Sequence, residues 1–244
     1  MRLVKLNATE STNTFLKELS RREELDNFTV VVTNNQTKGR GQMNAVWNSE
    51  EGKNLIFSIL IKDVNIEIND QFYISKAISL SIYECMTSIL NVNTSIKWPN
   101  DILAGESKIA GILIENTVKK SKIKQSVVGV GVNVNQVVFK NLPFATSMKL
   151  ITKDNFDLDL LLNKIIEAII RNVELLYTKQ FDLLDEFYLE KLYRLNVFSV
   201  YKDKLGNQFR GKIIGVAKDG KLQVKLENKK THKFNLKEIE FVRL

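Results

Sequence analysis

Residues 97–115 read Lys97-Trp98-Pro99-Asn100-Asp101-Ile102-Leu103-Ala104-Gly105-Glu106-Ser107-Lys108-Ile109-Ala110-Gly111-Ile112-Leu113-Ile114-Glu115, and they govern how the rest of the chain is read. The run Ser95 to Trp98 is β-type, but Pro99 has no amide hydrogen for a central ladder. The chain must turn there and present Asn100 and Asp101 at a strand end. A second β-type run covers Lys108 to Val118. Strict alternation puts Lys108, Ala110, Ile112 and Ile114 on one face, where a lysine is costly unless it meets an anion. Gly111 inside this strand implies close approach of a ligand or of another backbone. The plainer readings are an ordinary Asn-Asp turn and a strand-end lysine reaching for solvent.

Downstream, Ser126 to Val134 reads as a third strand, joined to the second by the basic turn Lys119 to Gln125 as an antiparallel hairpin. It carries Gly129-Val130-Gly131-Val132-Asn133-Val134-Asn135. Glycines two apart leave one face bare, which suits a flat group lying on the sheet, with the Asn133 amide at its rim. A dinucleotide fingerprint is excluded, because the third glycine and the following helix are missing. Upstream, Thr9 to Asp26 opens with capping residues and predicts a helix from Ser11 or Thr12. Strands are predicted at Phe28 to Thr33 and Asn54 to Ile61, separated by a polar loop from Asn34 to Lys53. A loop of that length in a compact domain is more often functional than passive. It holds Gln36-Thr37-Lys38-Gly39-Arg40-Gly41-Gln42 and Trp47. Two glycines around an arginine let backbone amides approach an anion while the guanidinium contacts it in bidentate fashion.

Apolar spacing predicts helices at Asp70 to Leu90, Asp157 to Tyr177 and Phe181 to about Tyr193. After Leu195 the texture becomes five short strands with turn signals at Gly206, Gly220 and Asn228, a small β-barrel. The expected division is 1–193 and 194–244. The fold class is α+β: a mixed central sheet with helices packed on it, plus the barrel.

The 244 residues carry a formal charge of +8, but their lysines are dispersed, which favours a solvated surface over a nucleic-acid or acidic-protein partner. One histidine, His232, and one cysteine, Cys85, exclude a histidine-rich metal site, a cysteine-based zinc site and an intrachain disulfide. Any chemistry must run on Lys, Arg, carboxylates and amides. No apolar run is long enough to cross a bilayer and the first ten residues lack a leader-like core, so no membrane association and a cytoplasmic location are expected.

Taken together, these segments resemble the biotin protein ligase family. The resemblance rests on Glu10-Ser11-Thr12-Asn13, the Gln36 to Gln42 loop with Trp47, Gly52 to Ser58, Lys97 to Asp101, Lys108 to Glu115, Gly129 to Asn135 and Leu142 to Ser147. It implies a fold like that of class II aminoacyl-tRNA synthetases with a C-terminal SH3-like barrel. It implies ATP-dependent formation of biotinyl-5'-AMP and transfer of biotin to a lysine of a biotin carboxyl carrier protein. By this resemblance Lys108, Arg40 and Asp101 are catalytic. The biotin-binding set is Ser11, Thr12, Asn13, Gln36, Gly39, Arg40, Gly41, Gln42, Lys108, Gly111 and Gly129. The ATP-binding set is Arg40, Trp47, Lys97, Asn100, Lys108, Gly131 and Asn133. Magnesium is expected with ATP, no fixed protein metal site is implied, and pairing of two chains is compatible with the family. The loop is expected to be mobile when empty and ordered when filled.

The sequence departs from many family members at Met43, Asn44 and Ala45, where another Arg or Gly is usual. It begins directly at the catalytic segment, so no sequence-specific DNA binding is expected. The neighbouring lipoate or octanoate ligases show an R-R-x-x-G-G-G element with a downstream histidine, both missing here, and Lys97 to Asp101 favours biotin. A basic RNA-binding module would cluster arginines and aromatics on exposed strands.

Overall fold

The computed structural model describes residues 2–242, leaving Met1, Arg243 and Leu244, at the ends of the two expected segments, outside the description. Seven strands form one mixed sheet: β1 (Leu3–Thr9), β2 (Val30–Gln36), β3 (Leu55–Lys62), β4 (Thr94–Lys97), β5 (Asp101–Ala104), β6 (Ser107–Lys119) and β7 (Lys122–Val132). Their order is β1-β2-β3-β7-β6-β5-β4, with β1 and β2 parallel and every other pair antiparallel.

Both faces of this sheet are covered, which is why β3 reads as an almost unbroken apolar run. Helix α1 (Thr12–Arg22) lies on one face, where Leu16 packs with Val31, Leu60 and Val127. Helices α2 (Phe72–Ile89) and α4 (Leu158–Tyr177) cover the other, over Phe57, Ile59, Val128 and Val130. In α4, Leu162, Ile165, Ile169, Val173 and Leu176 are buried, each contributing about 2 kcal/mol by removal from water. Cys85 is buried in α2, and burial pushes its thiol up to about 11, a core role rather than a reactive one. Short helix α3 (Met148–Thr152) follows β7, and α5 (Phe181–Glu190) packs on α2.

The remaining strands, β8 (Phe198–Asp203), β9 (Gln208–Val216), β10 (Leu222–Leu226), β11 (Thr231–Phe234) and β12 (Ile239–Phe241), make a second antiparallel sheet in the order β11-β10-β9-β8-β12. These are the five short strands expected of an SH3-like unit. Tyr201, Ile213, Leu222, Val224 and Ile239 form its interior and join the main core. Trp98 Nε1 donates to the Gly220 carbonyl at 2.9 Å, and Lys97 lies 5.2 Å from the Phe241 ring, so the second sheet abuts the 97–101 turn.

Three elements have no counterpart in the sequence reading: β1, β5 and α3. β1 is mixed in polarity with no clean alternation, and α3 is a single short turn of helix. β5 emerges directly from the Pro99 turn, after the cis Trp98–Pro99 peptide. Phe28 belongs to no strand, since its φ is 61°. β2 instead begins at Val30 and runs three residues into the expected loop. The basic hairpin is also tighter than read: its strands extend to Lys119 and Lys122, leaving Lys120 and Ser121 at positive φ.

Candidate active site

The β6 pairing overturns one sequence reading. Leu103 pairs with Lys108 while Ile102 pairs with Ala110, so Ile109 is an inserted bulge residue. Alternation therefore shifts by one, and Lys108 shares its face with Gly111 rather than with Ala110, which is fully buried. This face, continued by Leu113 and Glu115 and by Gly131 and Gly129 on β7, looks toward α1 and the 39–47 loop.

Lys108 Nζ forms an ion pair with Asp101 at 2.5 Å and lies 5.4 Å from the Trp47 ring. The anion that a lysine on this face needs is thus supplied by the protein itself. The backbone of Lys108 is clamped by the 139–146 segment: its amide donates to the Phe144 carbonyl at 2.7 Å, and Thr146 N donates to its carbonyl at 2.9 Å.

A cavity of about 240 Å³ opens on this face. Ser11, Thr12, Asn13, Gln36, Arg40, Gly41, Gln42, Trp47, Asn100, Asp101, Lys108, Gly111, Gly129 and Gly131 all line it. A second cavity of about 260 Å³ shares Val46, Trp47, Asp101 and Lys108 with the first. It adds Lys97, Asn133 and the apolar rim Phe139, Leu142 and Phe144. Arg40 and Lys108 therefore do converge on one cavity. They enter from different walls, Arg40 from the loop and Lys108 from the sheet.

Gly39 lines neither cavity. A side chain there would collide with the Trp47 carbonyl, because the loop folds back on itself through Trp47 N to Gly39 O at 3.0 Å and Gly41 N to Ala45 O at 2.6 Å. Its backbone turns the loop there. Asn100 and Asn133 are likewise engaged by the backbone, donating from Nδ2 to Ile112 O at 2.6 Å and to Thr146 O at 3.0 Å. Asn100 and Gly131 also lie on the first cavity rather than on the second, where Lys97 and Asn133 sit.

The bare glycine face is covered by the protein's own groups. The Trp47 indole lies over Gly111 and Gly131, and the Asn13 amide lies over Gly129. Trp47 Nε1 is buried there with no hydrogen-bond partner among the described residues, a donor facing a space that offers it nothing.

At the helix start, Ser11 caps α1, and Gln36 Oε1 accepts from Thr12 N at 2.9 Å and Thr12 Oγ1 at 3.3 Å. Ser58 Oγ bonds Thr12 Oγ1 at 2.7 Å and Asn13 Oδ1 at 2.6 Å. Asn13 Nδ2 then donates to Glu115 at 2.9 Å, joining a carboxylate that also receives Lys17 at 2.7 Å and Arg40 at 3.2 Å. Burial pushes the Glu115 carboxyl up, but the bonds from Lys17 and Asn13 and the charges of Lys17 and Arg40 outweigh it and hold the group below the usual glutamate range. Ser58 and Glu115 fall within the motifs of the resemblance, which assigns neither a role. Counting alternation from Gly111 instead of Lys108 would have put Glu115 on the site face.

Comparisons with known proteins give the family and the fold. The family model described as "Biotin/lipoate A/B protein ligase family" matches residues 6–133. The chain is 35% identical over 109 residues to the bifunctional ligase/repressor BirA of Bacillus subtilis, covering 44% of this chain and 33% of that protein. It is 33% identical over 122 residues to the biotin--[acetyl-CoA-carboxylase] ligase of Mycobacterium tuberculosis, covering 49% of this chain and 44% of that one. The alignments thus span less than half of the length of either relative. Among solved structures, the biotin protein ligase of Aquifex aeolicus in complex with biotin and ATP superposes with a TM-score of 0.81 at 28% identity, covering 100% of this chain and 99% of that one. The matched segment is more than half of the chain and contains the Gln36 to Trp47 loop, Asp101, Lys108 and the glycine strand; the chain belongs to the biotin/lipoate A/B protein ligase family.

Proposed function

We propose that this chain is a biotin protein ligase. The observation that carries the reading is the pair of adjoining cavities whose common wall is Trp47, Asp101 and Lys108. Two substrates can be seated side by side with one fixed ammonium between them. The first cavity suits biotin: Ser11, Thr12 and Asn13 stand where hydroxyls and an amide suit the ureido ring, Gln36, Arg40, Gly41 and Gln42 enclose the chain, and the bare faces of Gly111 and Gly129 let Trp47 and Asn13 sit against the sheet as its floor. The second suits the nucleotide, with Lys97, Asn133 and Trp47 on its walls; Arg40, Asn100 and Gly131 line the first.

In the first half-reaction a biotin carboxylate oxygen attacks the α-phosphorus of ATP, the bond to the pyrophosphate oxygen breaks, and biotinyl-5'-AMP forms. Two anions about 4 Å apart repel by about 4 kcal/mol in a partly desolvated site. Lys108 and Arg40 offset that repulsion and stabilise the charge that builds at phosphorus. Magnesium would enter as the ATP complex, with Asp101 the carboxylate lining both cavities. In the second half-reaction a lysine amine attacks the acyl carbon and AMP leaves. Asp101 would orient that amine. The acceptor is a biotin carboxyl carrier protein, and the setting is the cytoplasm, where ATP and carrier meet. If the carrier is acidic, the net charge of +8 speeds encounter. Two chains would pair along β1, the open edge of the main sheet. No step calls on sequence-specific DNA or on a membrane, and no helix among the described residues is long and apolar enough to cross one.

The test is exchange of labelled pyrophosphate into ATP with biotin, lipoate or octanoate supplied separately. Exchange is expected with biotin alone, and lost in Lys108→Ala while circular dichroism is unchanged. Exchange supported by lipoate or octanoate but not by biotin overturns the reading in favour of the sister activity.

A further inference from the structure

Lysine is spread along the whole chain, but net charge is not. Residues 1–193 hold 23 Lys and Arg and 23 Asp and Glu, whereas residues 194–244 hold 13 against 5, so the entire charge of +8 belongs to the C-terminal unit. Tyr201, Ile213, Leu222 and Val224 point into the core of that unit, and alternation sends the residues between them to its outer face. There the strand register lines up Phe198 of β8, Lys212 of β9, Lys225 of β10 and Thr231 of β11 in one row. Val200 with Arg210 lies on one side of the row and Gln223 with Lys233 on the other. Lys202 stands opposite Glu240 at the β12 edge, and Lys229 and Lys230 occupy the turn between β10 and β11.

Two features of this face call for a ligand rather than for water alone. Lys212 and Lys225 are directly opposed across the ladder, where like charges destabilise a sheet, and neither forms an ion pair among the described residues. Lys212 lies instead 5.7 Å from the ring of Phe198, a side chain left 50% exposed among cations. Beside Arg210 opens a groove of about 570 Å³ with apolar walls at Val200, Phe209 and Leu226 and amides at Gln208 and Asn228. The carboxylate of that groove, Glu227, is already paired with Arg210 at 3.0 Å. None of these residues lines either cavity of the candidate active site.

We propose that the outer face of the C-terminal sheet binds single-stranded nucleic acid without sequence preference. Alternate residues on a strand stand about 6.6 Å apart and neighbouring strands about 4.8 Å, so one chain of phosphates meets several ammonium groups at once. Phe198 supplies a flat face on which a base stacks, next to the ammonium of Lys212. The amides of the groove offer hydrogen bonds to base edges. An acidic polypeptide would use the same lysines but has no need of a phenyl ring exposed among them, and that ring decides between the two polyanions. The proposal is independent of the ligase reading, because it draws on charge that the two cavities do not use.

Fluorescence anisotropy of a labelled, mixed-sequence single-stranded oligodeoxynucleotide of about 20 nucleotides, titrated with the full chain in about 50 mM salt, tests this. Binding is expected, and the logarithm of its affinity should fall with the logarithm of salt concentration at a slope of about −3, the release of counterions from about four phosphates. Lys212→Gln with Lys225→Gln is expected to weaken binding roughly tenfold and to reduce that slope by about 1.4. Phe198→Ser is expected to weaken binding roughly tenfold while leaving the slope unchanged. Biotin with ATP should not displace the oligonucleotide. Failure to bind in low salt, an unaltered affinity in the double variant, or displacement by ATP overturns the proposal. An affinity indifferent to Phe198→Ser also overturns it, and displacement by polyglutamate at equal charge then makes an acidic polypeptide the partner. Should the double variant fail to fold, Lys225→Gln alone, which relieves the like-charge opposition and is expected to melt no lower, must weaken binding by about threefold or more.

Discussion

The indole of Trp47 lies so close to Gly131 that a methyl group on that glycine would stand 2.5 Å from indole Cε2. Nothing larger than hydrogen fits while the tryptophan keeps this seat. Gly131→Ala is therefore expected to displace Trp47 from the wall between the two cavities. The proposed pyrophosphate exchange should fall by about 10-fold or more, an effect of the size expected when substrate positioning is lost by an ångström. Tryptophan fluorescence should report the displacement directly. Unchanged emission and unchanged exchange would mean that the seat is not the functional one.

Glu115 gives the protein a distinct acid response. Its folded carboxyl titrates below the ordinary range, so its contribution to stability is complete above the unfolded glutamate value and is lost as pH falls through the lower folded value. Denaturant midpoints measured from pH 7 down to pH 3 are expected to fall less steeply for Glu115→Gln than for the unaltered protein. Parallel curves would show that the carboxylate gains nothing from Lys17, Asn13 and Arg40.

Lys76 of α2 is buried against Asp185 of α5, with the ring of Tyr73 4.3 Å from its ammonium and the Tyr73 hydroxyl donating to the same carboxylate at 3.0 Å. Burial lowers the Lys76 pKa, while the bond to Asp185 works the other way. Removing the carboxylate strands the charge: Asp185→Ala should cost about 2 kcal/mol, less than a fully buried pair because Asp185 is half exposed. Lys76→Met should cost less than Asp185→Ala, since it removes the charge and keeps the volume. Urea midpoints decide this, and the reverse order would contradict the account.

Most of the architecture was legible in the chain because period and punctuation report local geometry. The apolar spacing of α2 and α4, the turn forced by Pro99, the glycine strand Gly129 to Val132 and the short strands after Leu195 need only nearest neighbours to be read. The same motifs named the residues that line the two cavities. Tertiary structure decided what depends on contacts between distant segments. The bulge at Ile109, which turns Lys108 toward Gly111, arises from the pairing of β6 with β5 and leaves no mark in the alternation of β6 itself. Glu115 becomes a shared anion only because α1 and the 39–47 loop, some 75 to 100 residues earlier in the chain, are folded onto its face. Trp47 could be read as a wall, but its seat on Gly111 and Gly131 depends on a loop closing over a sheet. Sequence periodicity encodes which way a side chain points along its own strand; which group it meets there is set by packing.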